Sequence, residues 1–135
     1  MGYLKKYYSL PKNERLLFLE ALRRIYWAKF GLLIYKFKRL AVSYKNQGSV
    51  QEINEVEILE IKRAIFRANK LVFWKHTCLV NTLAARRMLN NRNVRSSAYL
   101  GVKKQKEELI AHAWLKVKNA EIIPKEEDFT ELHEF

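Results

Sequence analysis

The sequence is poor in cysteine, proline and glycine, and it lacks long apolar runs. Its 135 residues include one Cys, two Pro and four Gly. A single cysteine cannot form an internal disulfide, which excludes a small disulfide-stapled scaffold. No apolar run reaches the roughly 18 residues that a membrane span needs. A signal peptide has an apolar stretch and a small-residue cleavage site after its charged first residues. Here the first residues carry charge, but neither feature follows. We therefore expect a cytoplasmic protein without a membrane span.

The composition favours a folded, basic protein. Hydrophobic residues make up 49% of the chain, enough to form a core, so we expect one domain covering residues 1–135. The net charge of +12 favours anionic partners such as nucleic acid, acidic lipid or acidic peptide, although a solvated basic surface explains it equally well. Trp74 and the tyrosines could stack on bases, but no nucleic-acid-binding motif is present.

The first part of the chain, about residues 1–72, has helical periodicity. Ser9 and Pro11 resemble a helix start with a capping side chain, and the helical pattern then runs from Lys12 to about Tyr44, with Gly31 as a bend or break. Residues 46–49 predict a loop. A further helix is expected from about Val50 to Val72, and its apolar stripe consists of Ile58, Ile61, Ile65, Ala68 and Val72.

The second part, about residues 77–135, begins with a helix and then changes period. A helix is expected from about Thr77 to Leu89, followed by alternating strands over 94–102 and 109–117 and a third strand from Glu121. The acidic tail after residue 124 can carry a last short strand or helix. Helices followed by an antiparallel meander predict an α+β fold.

Cys78 and His112 are the residue pair that could carry chemistry. Cys78 falls at the predicted start of the third helix, where the helix dipole and free N–H groups favour a thiolate and an oxyanion. His112 and Trp114 share one face of the second strand, and Ala113 and Leu115 share the other. If the third helix packs on the His112 face, imidazole and thiol can meet as a nucleophile and base.

Structural explanations compete with this chemistry. A lone Cys can fill a core, and a lone strand His can be a buried side chain bonded to the backbone. His76 and Cys78 are the only metal ligands with close spacing, and two isolated ligands do not predict a zinc site. We therefore expect no metal and no cofactor.

The residues from Cys78 onward carry a family resemblance. The stretch CLVNTLAARRMLNNRNVRSSAYLGVKKQKEELIAHAWLKV resembles the lasso-peptide biosynthesis B2 proteins of the transglutaminase-like superfamily. These are similar to the C-terminal domain of the microcin J25 processing protein. The shared motifs are Cys78-Leu79 opening a helix, Gly101-Val102 ending a strand, and AHAW around His112. The segments LPKNERLLFLEAL, FKRLAVSY and FTELHEF extend the resemblance to nearly the whole chain.

The resemblance implies a papain-like or transglutaminase-like fold and a leader peptidase activity. It implies Cys78 as the nucleophile and His112 as the base. Trp74 and Trp114 are candidates for the lining of a pocket. The resemblance also implies three partners: the leader of a ribosomally made precursor peptide, a separate leader-binding protein, and a cyclase resembling asparagine synthetase. No nucleic-acid partner is implied.

The third catalytic group is the point at which the sequence departs from the family. Many relatives have an Asp at the position that holds Pro124 here, and a hairpin near Lys118 would bring that position beside His112. Three explanations are open: a nearby carboxylate substitutes, a backbone carbonyl orients the imidazole, or the protein is slow or inactive. The carboxylate candidates are Glu121, Glu126 and Asp128. An inactive protein would be a binding or scaffold module of the same complex, and a basic nucleic-acid binder is a third reading.

Overall fold

The computed structural model describes residues 2–49, 54–74, 77–118, 120–125 and 129–135. Within these residues the chain forms helices first and then an antiparallel sheet, so the predicted α+β class is confirmed. The helices are α1 (Gly2–Ser9), α2 (Lys12–Ile34), α3 (Phe37–Ser43), α4 (Glu55–Asn69) and α5 (Cys78–Asn91). The strands are β1 (Ser97–Gln105), β2 (Glu108–Val117), β3 (Ala120–Ile123) and β4 (Thr130–Glu134).

The start of α2 differs from the sequence-based expectation. Ser9 does not cap this helix: it is the last residue of α1, and its Oγ donates to the Lys6 carbonyl at 2.6 Å. The cap position of α2 is held by Pro11, which has no side chain that can accept a hydrogen bond. The expected cap was therefore wrong, because Ser9 belongs to α1 and its hydroxyl is bonded within that helix. The sequence analysis did not predict α1.

The long apolar segment is divided into two helices, and the break is not at Gly31. Tyr35 and Lys36 are extended and separate α2 from α3. Gly31 lies inside α2, where Leu40 of α3 folds back against it. A Cβ on residue 31 would be 2.9 Å from Leu40 Cδ1. The glycine therefore permits close packing of the two helices.

Helix α4 follows the predicted pattern closely. Asn54 caps it by accepting a hydrogen bond from the Val56 N–H at 2.9 Å. Ile61, Ile65 and Ala68 of the predicted stripe are buried. Residues 50–53, where the helix was expected to begin, lie outside the described residues.

The sheet has the strand order β3-β2-β1-β4. Strands β1 and β2 form a hairpin whose two-residue turn is Lys106 and Glu107. Both residues have positive φ, as the central residues of a type I′ hairpin turn do. Strand β4 pairs antiparallel with β1, so β3 and β4 are the two edge strands of the sheet. The connection from β3 to β4 must therefore pass from one edge of the sheet to the other.

The two faces of the sheet have different surroundings. On the helix face, Ala98, Leu115 and Val117 belong to one apolar core with side chains of α2, α4 and α5. On the opposite face, Trp114 stacks with Tyr99 at a ring distance of 5.7 Å. We call this second side the strap face, because Pro124, Lys125 and Phe129 of the β3–β4 connection, here called the strap residues, contact its side chains.

Candidate active site

Cys78 is the first residue of α5, as the sequence predicted. Its thiol is free and half-buried. The preceding Thr77 is tied to the end of α4, because Asn69 Nδ2 donates to Thr77 Oγ1 at 3.2 Å. The side chain of Thr77 makes no capping hydrogen bond to α5. The N–H groups of the first turn of α5 therefore have no side-chain cap at Thr77. Such N–H groups favour negative charge near the thiol.

Two polar side chains lie one helical turn beyond the cysteine. Asn81 and Thr82 follow Cys78 by three and four residues, so they lie on its side of the helix. Both are buried, and within the described part of the chain Asn81 Oδ1 and Thr82 Oγ1 have no hydrogen-bond partner. Buried polar atoms are normally paired, so these two oxygens are exceptions within the core next to Cys78. Sequence reasoning missed them; the signal was two polar residues in the apolar first half of α5.

His112 is held firmly on the strap face. It is 7% exposed and lies between two rings, Trp114 at 6.1 Å and Phe129 at 5.0 Å. Its Nε2 is 2.9 Å from the Pro124 carbonyl oxygen. A carbonyl only accepts hydrogen bonds, so Nε2 carries the proton in the neutral ring. The unprotonated Nδ1 is then the atom that can act as a base.

The position of Pro124 answers part of the question about the third group. The expectation that the β2–β3 hairpin brings residue 124 beside His112 is confirmed. Of the three explanations, the geometry agrees with orientation by a backbone carbonyl. Glu121 Oε2 instead accepts a hydrogen bond from the Lys125 N–H at 3.0 Å. Glu126 and Asp128 lie outside the described residues.

The structure does not join the two candidate catalytic side chains. Among the described residues, no hydrogen bond connects Cys78 with His112. The condition stated from the sequence, that the third helix packs on the His112 face, is not met: α5 shares its core with Leu115 and Val117 on the other face. The Cys78–His112 pair therefore stays a prediction.

The two tryptophans assigned to a pocket belong to different aromatic groups. Trp74 packs edge-on against Tyr26 at 5.1 Å, beside α2, and Lys29 lies over its ring. Trp114 stacks on Tyr99, and Lys125 Nζ lies 5.3 Å above it. A shared pocket between Trp74 and Trp114 is not seen in these contacts, so their role also stays a prediction.

The described residues contain neither a cluster of possible metal ligands nor a membrane-spanning helix. No cluster of three or more His, Cys, Asp or Glu side chains suited to a metal ion occurs there. No helix in that part of the chain is both long and apolar enough to cross a membrane.

Comparison with known proteins identifies one family. Residues 22–134 match the transglutaminase-like superfamily, a span that includes α5 and the whole sheet. No curated protein and no solved structure matches the chain significantly. The superfamily commonly carries cysteine protease or transglutaminase activity. Because the match covers most of the sequence, the chain belongs to the transglutaminase-like superfamily.

Proposed function

We propose that this protein is a cysteine peptidase that removes the leader from a lasso-peptide precursor. The observation that carries the proposal is that the family match includes both Cys78, at a helix N-terminus, and His112, whose Nε2 is anchored. The choice of a lasso precursor rests on the resemblance around CLVNTLAARRMLNN and AHAW. A separate leader-binding protein and a cyclase are the partners that this choice implies.

The reaction would proceed by acyl transfer to the cysteine. His112 Nδ1 takes the thiol proton, Sγ attacks the scissile carbonyl carbon, and the new oxyanion lies against N–H groups at the start of α5. The imidazolium then protonates the leaving amine as the peptide C–N bond breaks. Water attacks the thioester in a second step, with Nδ1 as the base, and the leader leaves as a carboxylate. The step requires Sγ and Nδ1 to come within about 3 Å of each other.

The Pro124 carbonyl would have the role that a carboxylate has in many relatives. It fixes the ring orientation and the tautomer by accepting a hydrogen bond from the Nε2–H group of His112. A neutral oxygen stabilises the imidazolium less than a carboxylate does, so we expect a slower enzyme than one with an Asp at this position. Removal of a carboxylate orienter costs activity but does not abolish it.

The positive charge fits the proposed substrate. An acidic leader, or an acidic face of the leader-binding protein, would be attracted to a chain of net charge +12. We expect the cleavage rate to fall between low and moderate ionic strength, since salt screens exposed charges. A rate that is indifferent to salt would contradict this part of the proposal.

The decisive test is cleavage of a lasso precursor in the presence of its leader-binding protein. Wild type should release the leader, whereas Cys78→Ala and His112→Ala should each lose at least about a thousandfold in rate. Thermal unfolding of each variant checks that the fold survives. Cleavage by a folded Cys78→Ala protein at the wild-type rate would disprove the peptidase proposal.

The lone cysteine allows a second test that needs no substrate. Iodoacetamide can alkylate one thiol in this chain, and intact mass reports the reaction directly. If His112 draws the proton from Cys78, the thiol should react at neutral pH about tenfold faster in wild type than in His112→Ala. Equal rates across pH 6 to 9 would show that the two side chains do not act together.

A non-catalytic binding module is the second candidate. It is favoured by the absence, in the described residues, of a hydrogen bond between Cys78 and His112, and by the burial of His112 under the strap residues. This reading predicts normal lasso-peptide production in cells that carry Cys78→Ala. The peptidase proposal predicts no product from those cells.

A further inference from the structure

A second candidate site lies where α1 and α2 meet the end of α4. A cavity of about 360 Å³ opens there. Its apolar walls come from α1, from α2 and from the turns that follow α1 and α4: Tyr7, Leu10, Phe18, Leu19 and Leu71. The volume lies in the range of ordinary ligand sites. Tyr7 and Phe18 contact each other at a ring distance of 5.8 Å, which fixes one wall.

The cavity continues along α2. An adjoining cavity of about 220 Å³ is lined by Leu16, Leu19, Glu20 and Arg23, and Leu19 belongs to both. Leu16 and Leu19 are 58% and 46% exposed, although they are large apolar side chains. The two cavities lie side by side along α2 on either side of Leu19, and together they are called the groove. An elongated ligand such as a peptide segment fits this shape better than a compact molecule does.

The rim of the larger cavity is cationic. Lys6, Arg67 and Lys70 line it, and its lining within the described residues contains no carboxylate, whereas Glu20 of the smaller cavity is paired with Arg92. Arg67 also faces Glu14 at 3.5 Å. No ion pair among the described residues uses Lys6 or Lys70. Apolar walls beneath lysine ammonium groups are complementary to a ligand whose apolar side chains alternate with carboxylates.

We propose that this groove, lined by the residues named above, is a docking site for an acidic amphipathic peptide segment. Leucine or phenylalanine side chains of the segment would enter the cavity beside Leu19, and its carboxylates would meet Lys6 and Lys70. Neither Cys78 nor His112 lines the groove, so binding there can be measured separately from peptide cleavage. The occupant is an acidic segment of a partner protein, recognised by the apolar walls and by Lys6 and Lys70.

The test measures binding of a synthetic probe to the full chain by fluorescence anisotropy. The probe is a fluorescein-labelled peptide of about 14 residues, or four helical turns, with Leu and Phe on one face and Glu on the other. We expect saturable binding with a Kd below about 100 µM. The double variant Lys6→Glu/Lys70→Glu should weaken binding at least about tenfold.

A matched variant separates the groove from the overall charge. Lys38→Glu/Lys104→Glu makes the same change in net charge at two exposed residues outside the groove, and it should alter the Kd less than about twofold. Leu19→Asn should weaken binding, whereas Leu33→Asn, at a residue of α2 that is 69% exposed and outside both cavities, should not. Thermal unfolding of all variants verifies that they remain folded.

Four outcomes would overturn the inference. The first is no saturable binding below about 1 mM. The second is equal weakening by the two double variants, which would mean attraction to the net charge. The third is unchanged binding of a probe with Gln in place of Glu. The fourth is binding of decanoate or of phosphatidylglycerol vesicles without binding of the peptide, which would make the groove a site for lipid-like anions.

Discussion

The two faces of the sheet are stabilised in different ways. On the helix face, Leu115 and Val117 pack into a continuous apolar core with three helices. That core also contains a buried cation: Arg86 donates to Ser96 and to the Tyr44 carbonyl. Burial lowers the pKa of Arg86 to about 10, and the charge of Glu134 acts in the opposite direction. The hydrogen bonds to Ser96 and to the Tyr44 carbonyl offset part of the free-energy cost of burying this charge.

The strap face has a much thinner cover. Trp114 is buried there, and its ring contacts among the described residues are with Tyr99, His112 and Lys125, none of which belongs to a helix. Two of the contacts are lysines over aromatic rings, Lys125 over Trp114 and Lys103 over Phe129. Such contacts are worth about 0.5–1 kcal/mol each at exposed sites. His112 therefore lies on the side of the sheet where local unfolding should require less free energy.

Truncation of the tryptophan on the strap face should have the largest effect. Trp114→Ala removes a side chain that is 2% exposed and should lower the free energy of unfolding by about 3–5 kcal/mol. Urea unfolding followed by circular dichroism measures the change. Trp27→Ala is the matched control, because Trp27 is 67% exposed and its loss should cost less than about 0.5 kcal/mol. Equal effects would mean that the strap face contributes little to stability.

A pair of glycine substitutions gives a smaller effect of the same kind. A Cβ on residue 101 would lie 2.7 Å from the Thr130 carbonyl oxygen and from the Trp114 ring. The backbone of β4 cannot move aside easily, so Gly101→Ala should destabilise by about 1–3 kcal/mol. At Gly31 the nearest atom is the flexible end of Leu40, and alanine favours a helix by up to about 1 kcal/mol.

Gly31→Ala should therefore change stability by less than about 1 kcal/mol in either direction. Thermal and urea unfolding of the two variants side by side checks the contrast. A Gly31→Ala protein that is the less stable of the two would show that the helix side tolerates added volume less well than the strap side does.

The smallest expected effect is a pH dependence on the helix side. Arg92 donates to both carboxylate oxygens of Glu20, at 2.9 and 2.7 Å, and ties the end of α5 to α2. This hydrogen-bonded pairing holds the pKa of Glu20 below its ordinary value of 4.5. A carboxyl whose folded pKa is lowered stabilises the protein above its unfolded pKa, and this stability is lost as the pH falls through the folded value.

We therefore expect wild type to be more stable than Glu20→Gln by about 1 kcal/mol or less at pH 7. The difference should shrink as the pH falls below 4.5. Urea unfolding at pH 7, 5 and 3 measures it, with Glu131→Gln at an exposed strand residue as the control. A difference that grows toward acid pH would contradict the assigned pairing.

Local patterns allowed much of the fold to be predicted. The buried stripe of α4, the start of α5 at Cys78 and the alternating faces of β2 depend on residues close together in the sequence. The errors also have local causes. Ser9 has the chemistry of a cap for a helix on either side of it, and Gly31 was read as a break although it permits contact with Leu40.

The candidate site was less predictable because it depends on pairings between distant strands. Alternation showed that His112 and Trp114 share a face, but not which face α5 would cover. That choice follows from the packing of Leu115 and Val117 in the core. The ring contact of His112 with Phe129 arises because β4 pairs with β1 and not with β3, and no short-range signal specifies this.

The turn at Lys106 and Glu107 has a consequence for the order of folding events. It joins β1 and β2 through neighbouring residues, so this hairpin can form on the scale of about 1–10 µs. Strand β4 can dock on β1 only after a much longer loop has closed, which is slower. We therefore expect His112 to acquire its ring neighbour Phe129 late, so that an early folding species would already contain the hairpin while its imidazole is still hydrated.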